Sequence, residues 1–188
     1  MKRISTDKKT SLIVQPTFLI GTYNEDDSPN FAPITWICEA YNTDHDIFVA
    51  NMYGKKQTKI NIARTGLLSA NLVSCDMLEL LDFFGAHTGL EAKKDALPYD
   101  WSDGEKVHAP TLDVSRFVYE LEVERTIEIC ENTTQYHCGI RNAQWIEPPE
   151  REPDRFINLM PYDPVIYSGA YHSLKECLGT IGDFYTKG

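Results

Sequence analysis

Cationic and hydroxyl side chains gather in one short stretch of the chain, at Lys55, Lys56, Thr58 and Lys59. An apolar, strand-like segment at residues 47–50 precedes them. The pattern predicts that they open a short helix ending at Gly66, a residue suited to the left-handed position after a helix. Because the first N–H groups of a helix have no intrahelical partner, this arrangement could seat a phosphate. The alternative is a solvated helix start, since lysine clusters are common on protein surfaces.

The charge distribution favours a small anion over a polymeric one. The formal net charge of the 188 residues is -10, which disfavours nucleic acid and anionic membrane surfaces as partners. Residues 47–75 nevertheless contain no Asp or Glu, although they hold the three lysines and Arg64. A positive segment in an acidic chain therefore predicts a small anionic ligand.

Composition and cysteine usage indicate one folded domain in a reducing compartment. Hydrophobic residues make up 42% and aromatic residues 11% of the chain, which is typical of a globular protein of this length. The five cysteines are widely spaced without a CxxC pair, so we expect free thiols. No apolar run is long enough for a signal peptide core or a membrane span, and we expect a cytoplasmic location.

Several common catalytic patterns are missing from the sequence. It contains no GxxxxGK[ST], no GxGxxG and no GxSxG, which argues against a P-loop, a dinucleotide-binding βαβ unit and a hydrolase elbow. His137 and Cys138 are adjacent and would face opposite sides of a strand, while His172 and Cys177 stand apart from other ligands. We therefore expect no metal site.

Apolar periodicity and turn residues predict a mainly β domain with a few helices. The predicted strands are residues 17–24, 30–41 (bent or bulged at Pro33), 47–51, 67–73, 117–129, 136–146 and 165–167. Besides the lysine-bearing helix, we predict a helix at 76–86 with Asp76 as its N-cap and a weak helix within 172–184. Alternation in the strand 117–129 places Val118, Leu121, Val123, Ile127 and Ile129 mostly inward and the glutamates outward.

These elements predict a closed or partly closed antiparallel barrel that forms a single α+β domain over residues 1–188. Residues 85–115 carry little periodicity and are expected to form a long loop or insertion. Residues 147–188 are expected to form a C-terminal extension that packs on the barrel or on a dimer partner.

The strand that carries Trp36 lies two turns upstream of the lysine-bearing helix. Its backbone could lie beside a ring whose phosphate tail sits on Lys55 to Lys59, and the tract 84–89 could close over that ring. The alternatives are that Trp36 is a core aromatic and that the tract is a helix end followed by a turn.

Taken together, several stretches resemble the flavin reductase-like family with an FMN-binding split barrel, in particular its flavoredoxin-like branch. They are residues 16–22, 30–37, 57–62 through 69–72, 84–89, and 163–167 with 178–179. The resemblance covers nearly the whole chain, and the order and spacing of the stretches carry it.

The resemblance implies a homodimer with one FMN per subunit near the interface. The cofactor-binding residues that it implies are Thr35, Trp36, Ile37, Cys38, Asn51, Lys55, Lys56, Gln57, Thr58, Lys59, Thr88 and Lys94. The lysines and Thr58 would hold the phosphate, and the strand 35–38 would run along the isoalloxazine. Cys38 stands where small hydroxyl residues are more usual, and Glu39 would place a carboxylate near the flavin edge.

The activity that the resemblance implies is FMN-dependent NAD(P)H oxidation, with free flavin or an acceptor protein as the partner. His137 lies on the strand where some reductases carry a nicotinamide-contacting histidine. Two alternatives stay open on the residues alone: an FMN electron carrier without its own nicotinamide site, and an inactive relative with an empty site.

Overall fold

The computed structural model describes residues 14–40, 44–91, 97–147 and 157–174. Its strands are β1 Gln15–Pro16, β2 Phe18–Tyr23, β3 Pro29–Ile34, β4 Ile37–Ala40, β5 Ile47–Tyr53, β6 Leu67–Leu72, β7 Trp101–Asp103, β8 Pro110–Leu112, β9 Phe117–Cys130, β10 Thr133–Trp145, β11 Val165–Tyr167 and β12 Tyr171–Ser173. The α-helices are α1 Gln57–Thr65 and α2 Leu78–Ala86, and 3₁₀ turns cover Cys75–Met77 and Met160–Tyr162.

Seven antiparallel strands form one curled sheet in the order β3-β2-β6-β9-β10-β5-β4. Its two edge strands, β3 and β4, are separated in the chain only by Thr35 and Trp36. Because consecutive Cα atoms lie about 3.8 Å apart, these two residues force the two edges of the sheet to meet. The sheet is therefore a barrel that is split between β3 and β4, and the predicted fold class is confirmed.

Two apolar clusters fill the two sides of this sheet. The barrel interior holds inward-facing residues of the strands, among them Phe18, Phe48, Met52, Leu68, Phe117 and Leu121. The second cluster joins the outer face of β2 and β3 to α2, and it contains Leu19, Phe31, Val73, Met77, Leu81, Phe84, Leu112 and Val165. This second cluster fixes α2 against the edge strand β3, where the candidate site lies.

The predicted long strand at 30–41 is two strands. The chain breaks at Thr35 and Trp36 and not at Pro33, because β3 pairs with β2 whereas β4 pairs with β5 across the split. Pro33 remains inside β3. Because β3 is an edge strand with a partner strand on one side only, it tolerates a residue that has no backbone N–H to donate.

The start of α2 also differs from the prediction. Ser74, not Asp76, is the N-cap residue of the 3₁₀ turn that leads into the helix, and the Ser74 hydroxyl donates to the Asp76 carboxylate. The loop predicted at 85–115 contains the hairpin of β7 and β8. At the start of the weak helix predicted within 172–184, Tyr171–Ser173 form a strand, and residues 175–188 lie outside the described residues.

The outward placement of the glutamates in β9 is wrong for Glu120, which is 0% exposed. Its carboxylate accepts hydrogen bonds from the backbone N–H groups of Glu105, Lys106 and Val107, so burial is compensated by donors from the hairpin loop. Ile129, predicted to face inward, is 53% exposed, because β9 continues beyond Glu122, the last of its residues that pairs with β6.

Among the described residues, no helix is long and apolar enough to cross a membrane. The same part of the chain holds no cluster of three or more His, Cys, Asp or Glu side chains arranged as metal ligands.

Candidate functional site

A pocket of about 440 Å³ opens between the start of α1, the edge strand β3 and the end of α2. Its volume is within the range of small-molecule sites. The lining residues are Asn30, Ala32, Pro33, Lys55, Lys56, Gln57, Thr58, Phe83, Phe84, Gly85, Ala86, His87, Thr88, Gly89 and Glu91. One wall is thus cationic and polar, and the facing wall is largely apolar.

Helix α1 begins and ends as its sequence predicts. Lys56 is the N-cap residue with extended backbone, its side chain makes no capping hydrogen bond, and the first turn holds no acidic residue. At the other end, Gly66 has φ 70° and its N–H donates to the Ile62 carbonyl at 2.8 Å. The helix therefore presents an uncapped, positively polarised start to the pocket.

A buried amide and hydroxyl network fixes the first turn of α1 to the barrel. Thr58 is 1% exposed, and the Asn30 amide donates to its hydroxyl at 3.1 Å and to Thr22 at 3.3 Å. One turn later, the Asn61 amide donates to Thr22 and to Asn24, each at 3.0 Å. These bonds make the orientation of the helix start a property of the folded barrel.

The apolar wall of the pocket is held by aromatic packing. Phe84 is buried, and its ring lies 5.6 Å from Phe31 and 5.1 Å from Tyr99, measured between centroids. After α2, the chain passes so close to β3 and α1 that a Cβ atom at Gly89 would lie 2.5 Å from Asn30 Oδ1. The turn at 88–91 is therefore pressed against the helix start.

Five of the predicted cofactor-binding residues line this pocket: Lys55, Lys56, Gln57, Thr58 and Thr88. Lys59 lies outside it, because its Nζ atom donates to the Asn132 carbonyl at 3.3 Å. The side-chain amide of Gln57 donates to Asn61 Oδ1 at 2.8 Å and so braces the helix. Lys94 lies outside the described residues.

The other predicted residues lie at the split of the barrel and do not line the pocket. Trp36 is 47% exposed, Ile37 is buried in the barrel core, and Cys38 is exposed. Asn51 contacts this segment, since its side-chain amide donates to the Trp36 carbonyl at 3.3 Å. The Gln135 amide in turn donates to Asn51 Oδ1 at 2.8 Å.

Sequence reasoning did not single out Asn30, His87 or Glu91 as site residues, although the tract containing His87 was expected to close over a ligand. Asn30 reaches the site through a hydrogen bond to Thr58, 28 positions away, which periodicity does not reveal. His87 and Glu91 stand in the turn after α2, where only the packed structure shows which wall a side chain joins.

The chain is similar to known proteins both in sequence and in structure. The sequence profile described as "Flavin reductase like domain" matches residues 10–175. A search of curated proteins gives no significant match.

Among solved structures, flavoredoxin of Desulfovibrio vulgaris (Miyazaki F) is similar with a TM-score of 0.84 and 24% identity over 97% of this chain and 99% of that one. Flavoredoxin from Methanosarcina acetivorans gives 0.84 and 19% over 98% and 97%. An FMN-binding protein from Thermus thermophilus with bound p-hydroxybenzaldehyde gives 0.76 and 17% over 96% and 99%. All three share the fold of this chain along nearly its whole length.

Proposed function

Because the chain belongs to the flavin reductase-like family, we propose that it binds FMN and passes a hydride from NAD(P)H to that flavin. The observation that carries the proposal is the pocket at the start of α1, where Lys55 and Lys56 stand beside a first helical turn without an acidic residue. The similarity to an FMN-binding protein supports the choice of FMN.

The cationic wall suits the phosphate of a flavin mononucleotide. An uncapped helix start offers backbone N–H donors, and two ammonium groups next to it add charge-assisted hydrogen bonds. Among the described residues that line the pocket, Glu91 is the one with an acidic side chain. The residues present therefore fit a phosphate monoester at this wall.

The facing wall suits the apolar part of the ligand. Ala32, Pro33, Phe83 and Phe84 give it hydrocarbon and aromatic surface that excludes water. We propose Thr35, Trp36, Ile37, Cys38 and Asn51 as contacts of the ring on the side of the barrel split, and Lys59 and Lys94 as outer charges. Bound flavin would supply the hydride chemistry, so the protein needs to position and shield it and does not need an acid–base pair.

The proposal is tested with purified protein, added FMN, and NADH or NADPH as donor. We expect a yellow protein that releases FMN on denaturation and oxidises at least one donor faster than buffer with FMN. A yellow protein that turns over neither donor would remove the reductase activity and leave flavin binding intact. A protein that retains no flavin at saturating FMN would remove both.

An FMN electron carrier without its own nicotinamide site is the second candidate, and the similarity to two flavoredoxins favours it. It differs from the first in one measurable respect. The bound flavin of a carrier would be reduced by dithionite or by a partner reductase but not by NADH or NADPH.

We also propose that the protein is a homodimer. Large apolar side chains are exposed near the site, including Trp36, Tyr53, Ile60 and Leu90, and a second copy would cover such surface. Light scattering coupled to size-exclusion chromatography should give twice the chain mass of 21.4 kDa. A mass of one chain at micromolar concentration would contradict the proposal.

A further inference from the structure

We propose that His87 is a proton-dependent ligand of the anionic group held at the start of α1, so that affinity for a phosphate-bearing flavin rises as the pH falls. The inference rests on the proposed function, because it deepens the recognition of the ligand in the same pocket. It concerns a residue that the sequence alone did not single out. Its basis is the position of the imidazole in the pocket wall and the hydrogen bond that fixes its ring.

The ring of His87 is held in one orientation. Its Nδ1 atom lies 2.8 Å from the carbonyl oxygen of Phe83, and its backbone N–H donates to the same oxygen at 3.2 Å. The imidazole also packs on the Phe83 ring, with centroids 4.6 Å apart. An exposed histidine is thereby kept at the pocket wall and not left free to rotate.

The contact with Phe83 determines which ring nitrogen carries hydrogen. A carbonyl oxygen can only accept, so Nδ1 must be the donor in both protonation states. In neutral His87 the Nε2 atom is then a lone-pair acceptor, which repels an anionic oxygen. After protonation Nε2 becomes an N–H donor with positive charge, which attracts one. The same atom therefore switches from unfavourable to favourable toward phosphate.

The charged surroundings of His87 act in both directions. His87 is the C-cap residue of α2, at the end of the helix that carries partial negative charge. Lys55 and Lys56 line the same pocket, so a protonated His87 would add a third positive charge there, which their repulsion opposes until an anion is bound. Glu91, in the following turn, is an acidic side chain in the same pocket wall, and Asp82 is the nearest acid along α2. The facing part of β3 contributes Asn30, Ala32 and Pro33, which carry no charge.

Bound phosphate would shift this balance, because it neutralises the two lysines and adds an acceptor for Nε2–H. Binding and protonation are therefore linked: whichever happens first favours the other.

The test compares dissociation constants of FMN and riboflavin between about pH 8 and about pH 6, a window across which an imidazole takes up its proton. Riboflavin lacks the phosphate and separates its contribution from that of the ring. The variant His87→Asn keeps an N–H donor for the Phe83 carbonyl but cannot titrate. His87→Lys carries its charge at both pH values. His108→Asn changes an exposed histidine outside the pocket and is the matched control.

For the unmodified protein and His108→Asn, we expect FMN to bind roughly threefold to tenfold more tightly at the lower pH, with riboflavin unchanged. The FMN affinity of each of these two proteins, divided by that of His87→Asn at the same pH, should rise as the pH falls. Taking this ratio removes the effect of the second ionisation of the FMN phosphate at about pH 6, because that ionisation belongs to the ligand and is common to all variants. His87→Lys should bind FMN tightly at both pH values.

A pH profile of His87→Asn that matches the unmodified protein would overturn this inference while leaving flavin binding in place. Loss of the pH dependence of FMN binding in His108→Asn would also overturn the inference, because the dependence would then not be specific to His87. If folded protein binds FMN at neither pH, the proposed function fails together with the inference.

Discussion

Asn51 donates twice to the carbonyl oxygen of Trp36, from its backbone N–H at 2.9 Å and from its side-chain amide at 3.3 Å. Trp36 stands in the two-residue connection that crosses from β3 to β4. The Gln135 side-chain amide donates a hydrogen bond to Asn51 Oδ1 at 2.8 Å. The Nε2 atom of His137 lies at the same distance, 2.8 Å, from Gln135 Oε1. A polar chain on β10 and β5 thus fixes the point at which the barrel is split.

The first prediction concerns the side-chain hydrogen bonds of Asn51 at the split of the barrel. Asn51→Ala keeps the backbone bond and loses the side-chain bonds to Trp36 and Gln135, so the free energy of unfolding should fall by about 1 kcal/mol. Urea denaturation measures it, with His172→Ala on the exposed strand β12 as control. In the double variant Asn51→Ala/Gln135→Ala, the loss should be less than the sum of the single losses. Strict additivity would show that the two amides do not act together.

The second prediction concerns the buried carboxylate of Glu120. It accepts hydrogen bonds from three backbone N–H groups of the hairpin loop and from the side chains of Asn142 and Gln144. Glu120→Gln turns one acceptor into a donor that faces other donors. We expect the free energy of unfolding to fall by roughly 2–4 kcal/mol and the Lys106 and Val107 amides to exchange hydrogen faster.

Glu122→Gln is the matched control for this change. Glu122 lies two residues along β9, is exposed, and pairs with Arg141 at 2.8 Å. Its replacement should cost less than about 1 kcal/mol, because exposed ion pairs contribute little. Equal losses for the two variants would mean that the burial of Glu120 has no special consequence.

The third prediction compares two glycines in the pocket wall. At Gly89 a Cβ atom would lie 2.5 Å from Asn30 Oδ1 and 3.0 Å from Gln57 Cβ, whereas at Gly85 the nearest atom is Pro33 Cγ at 3.5 Å. Gly89→Ala should push the turn away from the helix start and weaken FMN binding by about tenfold or more, the loss of one good contact. Gly85→Ala should leave it nearly unchanged. Titration of flavin fluorescence measures both, and similar affinities for the two variants would contradict the packing argument.

The fourth prediction separates the three lysines. Lys55 and Lys56 line the pocket, while Lys59 bonds to the Asn132 carbonyl. Lys55→Ala/Lys56→Ala should weaken FMN binding by about tenfold to a hundredfold and leave riboflavin binding unchanged, because only the phosphate contacts are lost. Lys59→Ala should have little effect on either flavin. Should Lys59→Ala weaken FMN as much as the double variant, the phosphate lies on the other side of α1.

The fifth prediction concerns alkaline pH. Burial, and secondarily the charge of Glu124, raises the pKa of the Cys138 thiol from 9.0 to about 12. The unfolded chain therefore loses this proton at lower pH than the folded protein does. Stability is fully present below about pH 9 and falls as the pH rises toward 12, by up to roughly 1.4 kcal/mol per pH unit.

Cys138→Ala should decline less steeply over this range, as followed by urea denaturation at increasing pH. Burial also raises the pKa of Tyr119 and Tyr136, but these groups are present in both proteins, so the difference reports Cys138. Cys38→Ala, at an exposed thiol, is the control. Parallel curves for Cys138→Ala and the unmodified protein would contradict the assignment.

Much of the fold could be predicted from local pattern. The strands at 17–24, 47–51, 67–73 and 165–167 and the helix that ends at Gly66 are present within a few residues of their predicted bounds. Apolar alternation and glycine conformation act over a few residues, and they survive in the folded chain. The pairings that split 30–41 into two strands involve partners in β2 and β5, so local pattern could not reveal the break.

The sequence by itself determined that a helix start rich in lysine and free of acids follows a strand, because backbone preference and composition are local properties. Only the tertiary structure decided which of those lysines line the pocket between α1, β3 and α2, since Lys55 and Lys56 line it while Lys59 donates to the Asn132 carbonyl. It also decided that Glu120 is buried and that His87 joins the pocket wall. Glu120 is buried because a distant segment supplies its hydrogen-bond donors, which depends on long-range strand pairing. His87 joins the pocket wall because α2 packs against β3.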